Sequence, residues 1–165
     1  MARAEARGGR QHAARRAARR IALSVLFEAD FGQQPALRIL ERELATRELD
    51  EEARQHARAM VEAVVRHREE LDARIEAAAP AYPVVQLARI DRALLRSALG
   101  EMLHCAATPT RVAISEWVAM ARTYSGEPAR RLVNGVLGRI AGEAGASGQA
   151  SSTIMGPPAA DPDRQ

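Results

Sequence analysis

Residues 110–140, TRVAISEWVAMARTYSGEPARRLVNGVLGRI, decide the fold of this chain because they hold two helical patterns joined by a short break. In both halves apolar residues recur three or four positions apart, which places them on one face of a helix. The first face comprises Ile114, Trp117, Val118, Ala121 and Tyr124, and the second comprises Leu132, Val133, Val136, Leu137 and Ile140. Two such amphipathic helices must bury their apolar faces, so we expect the rest of the chain to supply further helices.

The break has the residues of a helix end followed by a helix start. Gly126 stands where a helix terminus favours a left-handed residue, and Pro128 suits the first turn of the next helix. Gly135 falls inside the second helix, where glycine costs about 1 kcal/mol relative to alanine. We interpret Gly135 as a point of close approach by another backbone. A functional role for Asn134 is the alternative.

The helical period recurs in the preceding chain, and no strand alternation is found. The predicted helical segments are 13–32, 35–45, 50–78 and 84–104, and whether 66–70 breaks the third of them is left open. The sequence therefore predicts an all-α protein. We expect a flexible basic arm at 1–12, one helical domain at 13–142 and a disordered tail at 143–165.

Length and composition limit the class of protein. A chain of 165 residues suits one domain with a substantial core. No apolar run approaches the roughly 18 residues that a membrane span requires. Cys105 is the only cysteine, so no internal disulfide can form, which is typical of a reducing compartment. Because no apolar run follows the amino-terminal charges, we predict no secretory signal and a cytoplasmic location.

Positive charge is concentrated at the amino terminus. Residues 1–20 contain seven arginines and one acidic residue, whereas the whole chain has a net charge of only +3. Cations in the first turns of a helix oppose its dipole by about 0.3–1 kcal/mol each, so folding alone does not favour them. A solvated helix start is one interpretation, and an anionic ligand, most naturally nucleic acid, is the other. A membrane surface is less favoured because residues 1–20 lack large apolar side chains.

No motif for catalysis or for metal or cofactor binding is found. The histidines at 12, 56, 67 and 104 include no pair at the i, i+4 spacing of a zinc helix, and Cys105 has no CxxC partner. Glycine-rich phosphate loops and the GxSxG nucleophile motif are also missing. The adjacent His104 and Cys105 lack a third group to orient them, so we interpret them as structural. The prediction is a binding module without cofactor, not an enzyme.

Three segments carry a resemblance to a known family. They are VAISEWVAMARTYSG…RRLVNGVLGRI, ARRAARRIALSVLFEAD and LARIDRALLRSALGEMLH. Over roughly residues 13–142 the chain resembles the NusB family of bacterial transcription antitermination factors. The resemblance implies about seven helices in two small packed bundles. It also implies binding to the boxA element of nascent ribosomal RNA operon transcripts, as a heterodimer with ribosomal protein S10 (NusE), which prevents premature termination. Other Nus factors and RNA polymerase would be indirect partners.

The resemblance also implies site residues. Four arginines would contact RNA phosphates and bases: Arg10, Arg15, Arg16 and Arg19. Phe27 stands where the family usually has a tyrosine near RNA, and Tyr124 matches an aromatic residue, although both could also be core residues. Asp91 and Arg92 match a charged pair on the face shared by RNA and the NusE partner. Single-stranded RNA would be bound through phosphate contacts and base stacking.

The sequence departs from the family pattern at two positions, and one alternative function and one further prediction remain. Ser115 replaces a common asparagine of the family, and Pro128 replaces an acidic or polar residue at the turn that would present partner contacts. As an alternative, the chain is a protein–protein adaptor that binds RNA only in the complex. A homodimer through the helical body, which would cover the RNA arm, is a separate prediction.

Overall fold

The computed structural model describes residues 1–150, without the side chains of residues 2, 3 and 146–150. The described part contains six α-helices and one short 3-10 turn at Val84–Gln86. The helices are α1 (Ala2–Ala29), α2 (Ala36–Thr46), α3 (Glu51–Ala78), α4 (Arg89–His104), α5 (Thr110–Tyr124) and α6 (Glu127–Ala150). Residues 1–150 contain no β-strand.

The helices form two packed groups. In the first, α1 packs against α2 and α3, and in the second, α5 packs against α4 and α6. Contacts of α4 with α1 and α3 join the groups into one core. The prediction of an all-α protein with two small bundles is confirmed, with six helices in the described residues instead of about seven. Trp117 of α5 and Leu137 of α6 are fully buried, as their apolar patterns predicted.

The turn between α5 and α6 has the predicted geometry, but the glycine inside α6 does not have its predicted role. Gly126 has a φ of 107°, in the left-handed region that glycine favours. A Cβ at Gly135 would meet no atom of the described residues within 4 Å, so the predicted close approach of a backbone is wrong for this part of the chain. The tight contact lies at Gly100 of α4, where a Cβ would stand 2.8 Å from Cγ2 of Val64.

Two predicted helices are interrupted. The sequence left open whether residues 66–70 break the third helix. The structure shows a kink in α3 at His67, whose φ of −111° and ψ of 17° are not helical. The segment predicted as one helix over 84–104 is divided, because Leu87 and Ala88 are extended before α4 begins at Arg89. Arg92 donates hydrogen bonds to the carbonyl oxygens of Val84 and Val85, which satisfies these groups outside a helix.

The ends of the helical domain differ from the predicted boundaries. Helix α1 begins at Ala2 instead of Ala13, and the described side chains of residues 4–13 are all exposed. Helix α6 continues to Ala150, past the predicted start of the tail at 143. Residues 151–165 of that tail lie outside the described residues. Flexibility of 1–12 and disorder of 143–165 stay predictions.

Glu101 of α4 is the buried polar centre where several elements meet. Its side chain has 0% exposure. Arg19 of α1 donates to it through Nε at 2.9 Å and through a terminal nitrogen at 2.8 Å. Thr108 Oγ1 donates at 2.8 Å and Trp117 Nε1 at 2.6 Å, while His56 Nε2 lies 2.9 Å from Oε1. A buried carboxylate is stable only with such partners, so Glu101 fixes α1, α3 and α5 around α4.

The same contacts set the charge state of Glu101. Burial acts to raise the pKa of its carboxyl, but the surrounding hydrogen bonds and the charge of Arg19 outweigh burial and hold that pKa well below its usual range. Glu101 therefore remains ionised in the folded protein under mildly acidic conditions.

We expect Glu101→Gln to lower the free energy of unfolding by about 3–5 kcal/mol, because the guanidinium of Arg19 would stay buried without its counter-charge. Urea denaturation followed by the emission of the single tryptophan, Trp117, measures this change. Glu69→Gln on the exposed face of α3 is the matched control, and its expected effect is within about 0.5 kcal/mol. Equal stability of the two variants would contradict a structural role for Glu101.

Acid should destabilise the protein partly through Glu101. The unfolded carboxyl takes up a proton near its ordinary pKa of 4.5, whereas the folded one resists protonation until lower pH. The stabilisation is therefore fully present above that ordinary pKa and decreases as pH falls below it. Urea midpoints measured between pH 6 and pH 3.5 should fall less steeply in Glu101→Gln than in the natural chain. Parallel pH dependences would show that other carboxyls account for the effect.

Candidate nucleic-acid interface

Helix α1 directs its arginines to different environments, and the first of these is the protein interior. Arg19 has 0% exposure and is held by Glu101, with Glu116 Oε2 a further 3.7 Å from its second terminal nitrogen. A strand of RNA cannot reach this guanidinium in the folded chain. The prediction that Arg19 contacts RNA is therefore corrected, because burial and the carboxylate of Glu101 engage the side chain internally.

Arg15 and Arg10 face the amino-terminal end of α3 and the loop before α5. Arg15 donates to the carbonyl oxygen of Ala107 at 2.7 Å and lies 3.4 Å from a carboxylate oxygen of Glu52. Its side chain is only 20% exposed. Arg10 is exposed and borders a shallow groove with Asp50 and Glu52. Both residues remain near the surface, but acidic neighbours offset their charge.

Arg16 and Arg20 lie one turn apart on the exposed side of α1. Arg16 pairs with Glu116 at 3.0 Å, yet its side chain remains 55% exposed. Arg20 is exposed and makes no ion pair with any side chain in the described part of the chain. Arg20 was not among the residues predicted to bind RNA. Its i+4 spacing from Arg16 was the signal in the sequence that could have identified it.

Beside Arg20 runs a groove that brings together the two predicted aromatic residues. We call it the aromatic groove; its volume is about 390 Å³. It is lined by Arg20, Ile21, Leu23, Ser24, Phe27, Arg47, Ile90 and Tyr124. Tyr124 is 47% exposed, whereas Phe27 is half-buried and packs against the core, so the alternative of a core residue fits Phe27 in part and does not fit Tyr124. Arg20 adds positive charge to the groove, and Arg47 also lines it but is paired with Glu43 at 2.9 Å, with its side chain 51% exposed.

A third aromatic residue, Phe31, extends this surface. Phe31 is 48% exposed, and its ring meets that of Phe27 edge to face, with centroids 5.3 Å apart. The guanidinium carbon of Arg89 lies 4.3 Å from the centroid of Phe31, a cation–π contact. Neither Phe31 nor Arg89 was predicted as a site residue. The i+4 spacing of Phe31 from Phe27 was the available signal.

Arg92, predicted to bind a partner, is directed inward. It forms a hydrogen-bonded ion pair with Asp30 at the end of α1, and its side chain is only 16% exposed. Arg96 lies 3.3 Å from the same carboxylate. Burial acts to raise the pKa of Asp30, but the hydrogen bond from Arg92 and the neighbouring arginine charges lower it. The side chain therefore ties α4 to the end of α1, and its contact with a partner stays a prediction.

Asp91, the other residue predicted to bind a partner, lies on the surface between two grooves. It accepts a hydrogen bond from Ser125 Oγ at 2.6 Å, next to Tyr124 in the chain. On its other side it borders a largely apolar groove of about 820 Å³ between the 78–82 segment and α6. We call this the α6 groove; its lining includes Tyr82, Leu87, Asp91, Pro128, Leu132 and Val136.

This arrangement offers two kinds of binding. Aromatic faces flanked by guanidinium groups suit bases and phosphates, because stacking and charge act together. The apolar surface beyond Asp91 suits a protein partner, since contiguous exposed apolar residues commonly mark interaction sites. Tyr82 is 54% exposed and Val85 is 80% exposed at this end of the molecule. Pro128, one of the departures from the family pattern, lines this groove.

The fold and these surfaces define an all-helical protein with a basic, aromatic-lined face. The NusB family profile matches residues 16–142. A transcription antitermination protein NusB from Dehalococcoides mccartyi (strain CBDB1) is 39% identical over 126 residues, which are 76% of this chain and 88% of that protein. The chain belongs to the NusB family.

Solved structures agree with this assignment. T. maritima NusB has a TM-score of 0.71 and 29% identity, covering 78% of this chain and 91% of that one. A crystal structure of the antitermination factors NusB and NusE in complex with double-stranded RNA has a TM-score of 0.66 and 27% identity. The match covers 77% of this chain and 95% of the chain in that structure. The family is one of transcription antitermination factors and not of enzymes. Among the described residues, no helix is long and apolar enough to cross a membrane.

The adjacent arginines of α1 give a direct test of their different roles. We expect Arg19→Gln to lower the free energy of unfolding by about 3–5 kcal/mol, because it leaves Glu101 buried without a cation. Arg20→Gln should change it by no more than about 0.5 kcal/mol, since Arg20 is exposed and unpaired among the described side chains. Urea denaturation compares the two. A destabilised Arg20→Gln with an unaffected Arg19→Gln would contradict the burial described above.

Proposed function

We propose that this chain binds the boxA element of nascent ribosomal RNA operon transcripts, as a heterodimer with ribosomal protein S10 (NusE), and so prevents premature termination. The observation that carries the proposal is the aromatic groove, where two accessible rings lie beside Arg20 and Arg47, one turn of α1 from the exposed Arg16. Membership of a family of transcription antitermination proteins supports it, and a similar structure holds NusB with NusE and double-stranded RNA, which supports the pairing of NusE and RNA.

RNA would follow the exposed side of α1 toward α5. Arg16 and Arg20 would contact successive phosphates, and Arg47 would contact a third at the far side of the groove. Phe27 and Tyr124 would stack on bases, which single strands expose and duplexes do not. Loss of the tyrosine hydroxyl at Phe27 leaves the ring available for stacking.

NusE would occupy the α6 groove on the other side of Asp91. The exposed apolar side chains Tyr82 and Val85 would be covered by this partner. The hydrogen bond between Ser125 and Asp91 lies between the two grooves, so RNA and NusE would lie close together. A strand bound in the aromatic groove could then continue onto the partner.

A second candidate function is favoured by the scarcity of free cations. Arg19 is buried, and Arg15 and Arg16 are engaged by internal acceptors, which leaves few unpaired guanidinium groups for phosphates. The alternative is an adaptor that binds RNA only together with NusE. Titrating RNA with and without the partner separates the two functions, because the adaptor alone would show no saturable binding.

We expect the affinity for labelled boxA-type single-stranded RNA to fall with salt at a log–log slope of about −2, from roughly 0.7 per phosphate for three contacts. The double variant Arg16→Gln, Arg20→Gln should make the slope less negative by about 1.4. Arg38→Gln, an exposed arginine of α2 away from the groove, is the control and should change neither slope nor affinity. Fluorescence anisotropy of the labelled RNA, in the presence of NusE, measures the affinity of the natural chain, the double variant and Arg38→Gln at each salt concentration.

Specificity and stacking are tested with the same titration. Tyr124→Ala should weaken binding by about 1–3 kcal/mol, the usual contribution of one stacked base. A scrambled single strand and a boxA duplex should bind more weakly than the boxA single strand. Equal affinity for all three RNAs, or no effect of either the arginine or the tyrosine variants, would refute the proposed site.

A further inference from the structure

A cluster of two histidines and a glutamate lies between the kink of α3 and the end of α4, away from both grooves described above. Nδ1 of His67 is 3.4 Å from Oε2 of Glu70, and Nε2 of His104 is 3.6 Å from the same oxygen. One ligand atom from each of the three residues lies within 4.8 Å of the other two. We propose that His67, Glu70 and His104 form a surface site for a divalent transition-metal ion of the zinc class.

The distances fit one ion held by three ligands. With metal–ligand bonds of about 2.0–2.1 Å, neighbouring ligands of a tetrahedral site lie about 3.3–3.4 Å apart. Both distances from the glutamate oxygen are close to this value. Two imidazoles and one carboxylate favour zinc and its neighbours over calcium or magnesium, which take oxygen ligands. The fourth position would be open to water.

The carboxylate is already oriented toward the two rings. Arg74, one turn further along α3, donates from Nε to Oε1 of Glu70 at 3.2 Å. This leaves Oε2, the oxygen that faces His67 and His104, available to a metal ion. Hydrogen bonds of this kind fix the direction of a ligand and commonly change metal affinity by 10–100-fold when removed.

The rings need one adjustment to bind. The imidazoles of His67 and His104 are stacked, with centroids 3.7 Å apart and planes 2° from parallel. Their nitrogen lone pairs lie in parallel planes, so one ring must tilt out of the stack for both to point at one ion. His104 can tilt, because it is the last residue of α4 and is exposed. The kink at His67 places its ring opposite His104, and the ion would link the two helices there.

The test uses tag-free, full-length protein that has been treated with a chelator to remove bound metal. Zn²⁺ alone is titrated into this protein, and the heat of binding is measured by calorimetry. We expect saturable binding of one ion. Co²⁺ in place of Zn²⁺ should give the visible absorption of a tetrahedral site. His104→Gln and Glu70→Gln should each weaken binding at least tenfold, and Arg74→Gln should weaken it about 10–100-fold. Circular dichroism checks the fold of each variant. Two ligand residues are substituted separately, so the test still holds if one of the variants misfolds.

His12→Gln is the matched control. His12 also lies beside one carboxylate, 3.6 Å from Glu116, but it does not belong to the three-ligand cluster. Its substitution should leave Zn²⁺ affinity unchanged. The site would be rejected if the natural chain bound no Zn²⁺, if both ligand variants bound as tightly as the natural chain, or if His12→Gln lost as much affinity as they do.

Discussion

A carboxylate that cannot reach water has to be solvated by the protein itself, and Glu101 is in that position. The groups that solvate it come from α1, α3, α5 and the loop before α5, so they bring distant parts of the chain to one point. Apolar burial drives these helices together, but it is not directional. The hydrogen bonds to Glu101 are directional, and they fix the rotation of α1 about its own axis.

That fixed rotation decides what each arginine of α1 can do. Because Arg19 is directed to Glu101, Arg20 is directed to the aromatic groove and Arg16 to the exposed side of α1, where it pairs with Glu116. The arginine-rich part of α1 therefore contains one buried structural residue, Arg19, and two exposed arginines, Arg16 and Arg20. The aromatic groove depends on this division, since a turn of α1 by one residue would bury Arg20 and remove charge from beside Phe27 and Tyr124.

Helical periodicity was enough to predict the helix class, the turn at Gly126 and the burial of Trp117, Ala121 and Leu137, because these depend on neighbours in the sequence, but it also placed Tyr124 on the apolar face of α5, where that side chain is 47% exposed. It did not predict that Arg19 is buried, since its partner is 82 positions away. The ion pair of Arg92 was not predicted for the same reason, since its acceptor, Asp30, is 62 positions away. The divided segment before α4 also depends on a tertiary contact, between Arg92 and two backbone carbonyls.

The amino-terminal turns of α1 have a thermodynamic consequence of their own. The described side chains of residues 4–13 are all exposed, so little packing supports their helix. Two consecutive glycines, each costing about 1 kcal/mol relative to alanine, make this segment a weak helix former, and so do Arg7 and Arg10, which form no ion pair within the described part of the chain. An anion bound there would relieve repulsion between the cations and the helix dipole. The helix–coil equilibrium of this segment is therefore coupled to the ionic surroundings of the protein.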